Sequence, residues 1–283
     1  MAISDTTTRL FIQAYLRHRI LPETAVKALH AKVCALSEDQ DALEDFPSFI
    51  GELNRRVDTF NMELRRGHEA STGKQFYALV NTNGDELAQQ ATECSPAEIA
   101  YFKHLVDVII NADDDVYELS STAALSEASQ MTPAMTKRDA QALIDRLIDN
   151  QWLVNRNGLL SLSLRTTLEL QTYLKEEYQD RIHECTMCME MVTSDYERCT
   201  VANCKARLHA YCSRVYFTRQ KVKKCPTCKS PWHGDALGTG RPRPSGSSTK
   251  SGRQATNGIK RDRDALDEEE GEEEEEGDED AME

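Results

Sequence analysis

The residues best able to do chemistry in this sequence are cysteines. Seven of its nine cysteines lie between Cys185 and Cys228, and His209 lies among them. Together they form four close pairs, and the two-residue spacing of a C-x-x-C pair lets a tight turn direct both side chains at one metal ion. Eight ligands suit two tetrahedral zinc sites with none left over. The predicted ligands are Cys185, Cys188, Cys199, Cys204, His209, Cys212, Cys225 and Cys228.

Both predicted sites are saturated, one by four cysteines and the other by three cysteines and a histidine. Because neither site leaves a position for water, the two zinc ions are expected to be structural rather than hydrolytic. Spacing alone leaves two pairings open. One is sequential, with the first four ligands on one ion, and the other is interleaved. His183 and His233 are spare histidines beside a complete ligand set.

The choice of zinc over disulfides depends on the cellular compartment. The N-terminal sequence MAISDTTTRLFIQAYLRHRI lacks a basic region followed by an uninterrupted apolar run, so no secretory signal is expected. No segment approaches the ~18 apolar residues of a membrane span, and no membrane association is expected. Thiols stay reduced in the cytosol and nucleus, which favours zinc.

A first helical unit over residues 1–92 is predicted ahead of the cysteine-rich segment. A first amphipathic helix is predicted before Pro22. Pro22 and Pro47 each lie at the start of a further helix with an apolar face. The stretches MELRR and KQFYALV then flank the turn-forming sequence GHEASTG, as two strands flank a wing. Three helices followed by a hairpin are the element order of a winged helix.

The same order recurs over residues 93–182. A capping box at Ser95 starts a helix that should run to about Ile110. After a linker that contains Asp113, Asp114 and Asp115, a weaker cap at Thr136 starts another helix. QWLV and LLSLS flank NRNG, a strong hairpin signal. A long helix over about 164–178 then leads into the zinc segment. The predicted fold class is therefore mostly α with small β hairpins, in which tandem winged-helix domains precede a variant zinc finger and a tail.

That tail, residues 236–283, is predicted to be disordered because it is rich in Gly, Pro and Ser and then in acids. Of the 48 acidic residues, 14 lie in Asp264–Glu283, so the rest of the chain balances 34 acidic against 34 basic residues. The net charge of −14 thus describes the tail and not the folded body. We interpret the tail as a solubilising extension. A basic partner such as a histone, or an import signal around Lys260 and Arg261, are the alternatives.

Charge also bears on the winged helices, which often bind DNA. Residues 91–182 contain 8 basic and 15 acidic residues, which argues against phosphate binding. The first unit has 10 basic and 13 acidic residues and is less decisive, because Arg65, Arg66 and Lys74 fall near its wing. We expect both units to contact protein, and DNA to be reached through an assembly rather than directly.

Two zinc fingers share this ligand order, the RING variant and the PHD finger. A PHD finger typically places an aromatic residue two positions before the seventh ligand, where this sequence has Lys223. The CPTC ending with Pro226, and Met187 before the second ligand, resemble a RING, and the resemblance makes residues 183–235 a variant RING zinc finger. In that family these two positions help to form the groove for a ubiquitin-conjugating enzyme. Lys229 stands where many RING ligases place a basic residue that contacts the enzyme and its ubiquitin.

The RING resemblance also implies the interleaved pairing, known as the cross-brace. One ion is then expected on Cys185, Cys188, His209 and Cys212, and the other on Cys199, Cys204, Cys225 and Cys228. A RING ligase contributes no nucleophile, so no catalytic residue is expected in this chain.

Taken together, NQWLVNRNGLLSLSLRTTLEL and the zinc segment ending in CPTCKSPW resemble one family over about residues 5–233. It is the RING-bearing first non-SMC element of the structural-maintenance-of-chromosomes five/six complex. Membership implies a nuclear, chromatin-associated role in DNA repair, with a MAGE-type subunit and other SMC-complex subunits as partners. It also implies ubiquitin ligase activity that depends on the MAGE-type partner. The alternatives are a purely structural subunit, a winged-helix nucleic-acid-binding regulator, and a PHD-like histone reader, which Lys223 disfavours.

Overall fold

The first unit is a three-stranded sheet covered by helices. The computed structural model of the chain describes residues 4–82, 94–218, 220 and 223–239. The sheet has the order β1-β3-β2, all antiparallel, and β2 and β3 form the predicted wing. Its elements are α1 (Asp5–Tyr15), β1 (Ile20–Pro22), α2 (Glu23–Ser37), α3 (Gln40–Glu44), α4 (Phe46–Val57), a 3-10 turn (Asp58–Phe60), β2 (Met62–His68) and β3 (Gln75–Asn81).

Local sequence explains most of this unit. The Asp45 side chain caps α4 by accepting from the Ser48 amide, and Pro47 lies in the first turn. Edge-to-face packing of Phe11 on Phe49, with ring centroids 5.0 Å apart, forms the centre of the core. The three helices and the wing are confirmed. Strand β1 and the short helix α3 were not predicted, because three and five residues are too few to show a period.

The second unit repeats this plan with a smaller sheet of order β4-β6-β5. The predicted capping box is present, with the Ser95 amide donating to Glu98 and the Glu98 amide to Ser95. Asn157 and Gly158 both have positive φ, as a tight hairpin turn requires. The elements are α5 (Pro96–Ile110), β4 (Leu119–Ser120), α6 (Ser121–Ala128), α7 (Lys137–Asp149), β5 (Leu153–Arg156) and β6 (Leu159–Leu162).

Two predictions about this unit were wrong. The stretch interpreted as a linker before Thr136 contains β4 and α6, whose cap is Ser120. The long helix is also divided, into α8 (Leu164–Glu169) and α9 (Gln171–Glu177), with Leu170 leaving helical geometry between them. The reason lies in packing: Leu168 is buried with the first unit, whereas Leu170 is buried in the second core. A single straight helix would not bury both leucines in their separate cores.

Helix α8 is the joint between the two units. Arg165 and Glu169 are both buried, and their side chains lie 2.5 Å apart. The Arg165 guanidinium also stacks on Trp152, 4.1 Å from the ring centroid. Burial raises the pKa of Glu169, and the hydrogen bond from Arg165 opposes that shift. From the first unit, Arg65 donates to the Leu168 carbonyl at 2.7 Å. The RTTLEL motif thus ties the two units together.

The cysteine-rich segment folds around a second small sheet of order β10-β9-β11 and one helix. Its elements are β7 (His183–Glu184), β8 (Met191–Val192), β9 (Tyr196–Arg198), β10 (Arg207–His209), α10 (Ala210–Thr218) and β11 (Asp235–Leu237). Strand β11 corrects the predicted start of disorder at residue 236. It pairs with β9 and buries Leu237, so Ala236 and Leu237 belong to the folded segment.

The remainder of the predicted tail, from residue 240, lies outside the described residues. All the described residues belong to one compact unit spanning Met1–Pro242. Within that part of the chain, every helix is too short or too polar to cross a membrane.

Candidate metal centres

Two C-x-x-C turns of the same construction begin the candidate centres. In the first, the Met189 amide donates to the Cys185 carbonyl at 2.9 Å, and in the second the Lys229 amide donates to the Cys225 carbonyl at 3.1 Å. Met189 and Lys229 both have φ near +60°, the left-handed conformation that closes each turn. Equal backbone geometry directs both sulfurs of each pair to one side, as a shared ion requires.

The hairpin of β9 and β10 joins the two centres. Cys199 and Cys204 lie at its turn, and His209 ends β10 at the opposite side, next to Cys212 in α10. The ligand atoms fall into two groups, each with all its atoms within 4.8 Å of one another. The first group is Cys185, Cys188, His209 and Cys212, and the second is Cys199, Cys204, Cys225 and Cys228. This grouping is the interleaved one, because β10 leads the chain from the second group to the first.

The spacing within each group fits tetrahedral zinc. With Zn–S bonds of about 2.3 Å, the sulfurs of a tetrahedral site lie about 3.8 Å apart. The observed Sγ–Sγ distances are 3.8 Å for Cys199 with Cys228 and 3.7 Å for Cys204 with Cys225. In the first group, the Cys188 sulfur lies 3.3 Å from Nδ1 of His209. The donor set therefore suits two zinc ions, and the identity and number of the ions stay a prediction.

His209 is oriented from behind by the backbone. It is buried, and its Nε2 lies 3.1 Å from the Met191 carbonyl, which leaves Nδ1 facing the sulfurs. Such an outer hydrogen bond is the usual support of a metal-binding histidine. The supporting carbonyl has no signature in the sequence, so it was not predicted. This arrangement indicates Nδ1 as the atom that binds the ion.

The protonation of the ligands shows what metal binding must displace. Burial lowers the pKa of His209, but hydrogen bonds with Cys185 and Cys188 outweigh it and raise that pKa to about 10. Burial raises the pKa of the Cys199 thiol to about 12. Because zinc binds thiolates and a neutral imidazole, zinc binding at these sites releases protons.

The residues expected to contact a conjugating enzyme lie on the two C-x-x-C turns. Met187 is 45% exposed on the first turn, and Pro226 is partly exposed on the second. Lys229 is exposed, and its Nζ donates to the Pro226 carbonyl at 2.6 Å. An exposed methionine that was not predicted, Met189, lies on the same turn as Met187 at 63% exposure and lines a cavity toward the first unit. Contact of Met187, Pro226 and Lys229 with an enzyme stays a prediction.

An acidic loop of the second unit holds the zinc segment in place. The Tyr196 hydroxyl donates to the Asp115 carbonyl at 2.6 Å, and Arg207 pairs with the Asp115 carboxylate at 3.3 Å. His183 lies 3.2 Å from the same carboxylate. His183 is therefore outside both ligand groups, as is His233. The run of three aspartates was interpreted as part of a linker, and its role as an anchor was missed.

Two winged-helix units, followed by two interleaved ligand groups on a hairpin and a helix, define a tandem winged-helix protein with a RING-like zinc finger. Comparison with protein families agrees, since residues 185–228 match a RING-like domain. Residues 8–170, more than half of the chain, match the family described as the Nse1 non-SMC component of the SMC5-6 complex. The chain belongs to that family, and the predicted resemblance is confirmed.

Relatives and a solved structure extend the match beyond the family model. The Non-structural maintenance of chromosomes element 1 homolog of Xenopus laevis is 29% identical over 222 residues, 78% of this chain and 81% of the relative. The homolog of Homo sapiens is 27% identical over 233 residues, 82% and 86% of the two chains. A chain from a structure titled Nse1-Nse3-Nse4 complex superposes with a TM-score of 0.72 and 28% identity, covering 83% of this chain and 100% of that one.

Proposed function

We propose that this chain is the Nse1-type subunit of a nuclear, chromatin-associated SMC5-6 complex acting in DNA repair. We further propose that it is a RING-type ubiquitin ligase whose activity depends on a MAGE-type, Nse3-like partner. The solved relative comes from an Nse1-Nse3-Nse4 complex and is covered over its full length, which supports partners of the same two kinds here. Nuclear location and a role in DNA repair are part of the proposal, and the family resemblance supports them.

The observation that carries the ligase proposal is the interleaved pair of ligand groups with Met187 exposed on one of its turns. Closed four-ligand sites do no chemistry of their own, and the reactive thioester belongs to the conjugating enzyme. Such a ligase works by holding the thioester in a reactive conformation, which is a positioning effect. All the work of the zinc segment is then to present a rigid apolar groove.

The partner is expected to dock on the first winged-helix unit. Three large apolar side chains are exposed there, Leu16 at 60%, Leu36 at 78% and Phe60 at 75%. Exposed apolar side chains of this size are candidates for protein contacts, and the unit has no excess of basic residues to favour DNA.

Copurification tests the assignment to a complex. The chain, tagged and recovered from nuclear extract, should bring with it SMC-type ATPases and Nse3-like and Nse4-like subunits, identified by mass spectrometry. Leu36→Asp is expected to weaken recovery of these subunits, because it replaces one of these exposed apolar side chains with a carboxylate. Recovery with transcription machinery alone, and without SMC-type ATPases, would contradict the proposal.

Direct DNA binding is the competing function, and several of the basic residues that could serve it are engaged within the chain. Near the two wings, Arg65 donates to the Leu168 carbonyl and Arg156 pairs with Asp195 of the zinc segment. Arg146 lies on α7, the helix that would enter the major groove of DNA, and it pairs with Glu98. These cations already have partners within the chain.

We therefore expect weak DNA binding by the full chain alone at physiological salt, with a Kd above roughly 10 µM for a labelled duplex. Fluorescence polarisation across a salt series measures it. Binding to the Nse3-like partner should change little over the same series, since burial of apolar surface is insensitive to screening. Tight, steeply salt-dependent DNA binding without a partner would favour the nucleic-acid regulator instead.

A further inference from the structure

The wing of the first winged helix reaches across to the zinc segment. Its tip, residues 68–74, connects β2 to β3 and lies on α10. The Tyr211 amide donates to the Ala70 carbonyl at 3.0 Å, and Arg214 donates to the Ser71 carbonyl. At the base of the tip, His68 Nδ1 lies 2.6 Å from the Glu190 carboxylate. The His68 amide donates to the same carboxylate at 3.2 Å.

The zinc-segment residues in these contacts surround the first ligand group. Glu190 follows Cys188 by two positions, and Tyr211 stands between the ligands His209 and Cys212. Arg214 follows Cys212 by two positions. The wing therefore holds both chain segments that supply the first group, including the turn that carries Met187. None of these four contacts involves a residue next to a ligand of the second group.

A cavity lies beside the contact between the wing and the zinc segment. About 460 Å³ of space lies between the wing, strand β5 and the segment from Met189 to Asp195. On this side, a few directed hydrogen bonds rather than a continuous apolar core thus hold the zinc segment to the body. Such a connection fixes the position of the zinc segment relative to the wing, and it can be broken without unfolding either of them.

We infer that the first wing is a positioning element, through which the winged-helix body and a partner bound to it set the place of the first metal turn and of Met187. The inference rests on the proposed ligase function and adds a route for its dependence on a partner. A partner that docks on the first unit restricts the motion of the wing. The wing in turn restricts the motion of the first metal turn, which forms one side of the groove for the conjugating enzyme.

Substitution of Gly73, which lies in the wing tip, tests the inference. Its φ is +76°, and a Cβ built there would lie 2.4 Å from the Tyr211 ring. Gly73→Ala should push the tip away from α10 without changing any residue of the zinc segment. Gly158→Ala in the second wing is the matched control, since its φ is +84° and a Cβ there meets nothing within 4 Å. The two variants share the backbone strain and differ in the clash.

In the zinc-loaded full chain, Gly73→Ala should speed amide hydrogen exchange in α10 and around Met187 roughly tenfold, whereas Gly158→Ala should leave it unchanged. The zinc content, measured by native mass spectrometry, should match that of the wild type. With an Nse3-like partner present, Gly73→Ala should lose at least about half of the partner's stimulation of ubiquitin discharge from charged conjugating enzymes. His68→Ala removes one hydrogen-bonding group without a clash and should act in the same direction.

Equal exchange and equal partner stimulation in Gly73→Ala, His68→Ala and Gly158→Ala would overturn the inference. If Gly73→Ala lost zinc, the comparison of His68→Ala with the control would decide in its place. Absence of discharge by the wild type with its partner would sink the ligase function, while the exchange experiment would still decide whether the wing positions the first metal turn.

Discussion

Cys185→Ser is expected to unfold the zinc segment and leave the first winged-helix unit folded. Cys185 is completely buried and belongs to the first ligand group. Structural zinc contributes on the order of 10 to 16 kcal/mol to the folding of small zinc-binding peptides, more than the few apolar side chains of this segment supply. Native mass spectrometry should show loss of zinc, and hydrogen exchange should show loss of protection from β7 to β11.

The interleaved hairpin makes the loss extend to both groups. Because the β9–β10 hairpin has Cys199 and Cys204 at its turn and His209 at its end, disorder at the first group frees Cys199 and Cys204 as well. The second winged helix should be moderately destabilised, since Tyr117 in that unit packs on Tyr196 of the zinc segment. The first unit has a separate core and should keep its protection.

Cys94→Ser is the matched control, because Cys94 lies outside both ligand groups. It should keep the zinc content and the exchange pattern of the wild type. A Cys185→Ser protein that retains two zinc ions would contradict the ligand assignment. Loss of protection confined to residues 185–204 would instead indicate sequential sites.

Features specified by short sequence patterns were predicted well. The capping box at Ser95 and the Asn157–Gly158 turn depend on residues within three positions of each other, so local chemistry decides them. The same holds for the C-x-x-C turns, whose closure needs only the residues up to Met189 and Lys229. The eight candidate ligands could therefore be identified before their grouping was visible.

Features decided by distant contacts were not predictable in this way. Leu170 ends α8 because its neighbours face two different cores, and no local signal marks that division. Strand β11 is three residues in a glycine-rich stretch and exists because β9 offers it an edge. Asp115 looks like any solvent-exposed acid until Arg207 and His183 are brought to it from about 70 to 90 positions away. These are cases in which tertiary structure overrides local propensity.

Met187→Asp is expected to abolish ligase activity while both ligand groups stay intact. The side chain is 45% exposed and is not a ligand, so the substitution should cost little stability. When a conjugating enzyme binds in the groove, however, the new carboxylate is buried against an apolar surface without a partner. This penalty weakens binding of the enzyme, so discharge should fall at least tenfold, to about the uncatalysed rate. Single-turnover discharge of ubiquitin from a panel of charged conjugating enzymes, with the Nse3-like partner present, measures the effect.

Met189→Asp is the matched control for that charge. Met189 is on the same turn and is more exposed, but it lines the cavity toward the body. Its substitution should leave discharge near the wild-type rate. If both variants discharged ubiquitin as fast as the wild type, the groove at Met187 would not bind the enzyme. No acceleration by the wild type itself would favour a purely structural subunit.

Lys229→Arg should change the same reaction in the opposite direction. The Lys229 ammonium donates to the Pro226 carbonyl at 2.6 Å, and its remaining N–H groups have no fixed direction toward a second acceptor. An arginine can keep that contact and direct another N–H at the enzyme-bound ubiquitin, so discharge should rise roughly threefold, the low end of the net contribution of one hydrogen bond. Lys229→Gln, which keeps a donor for Pro226 but removes the charge, should lie below the wild type. An order in which Lys229→Gln equals Lys229→Arg would show that the charge at this position does not contribute.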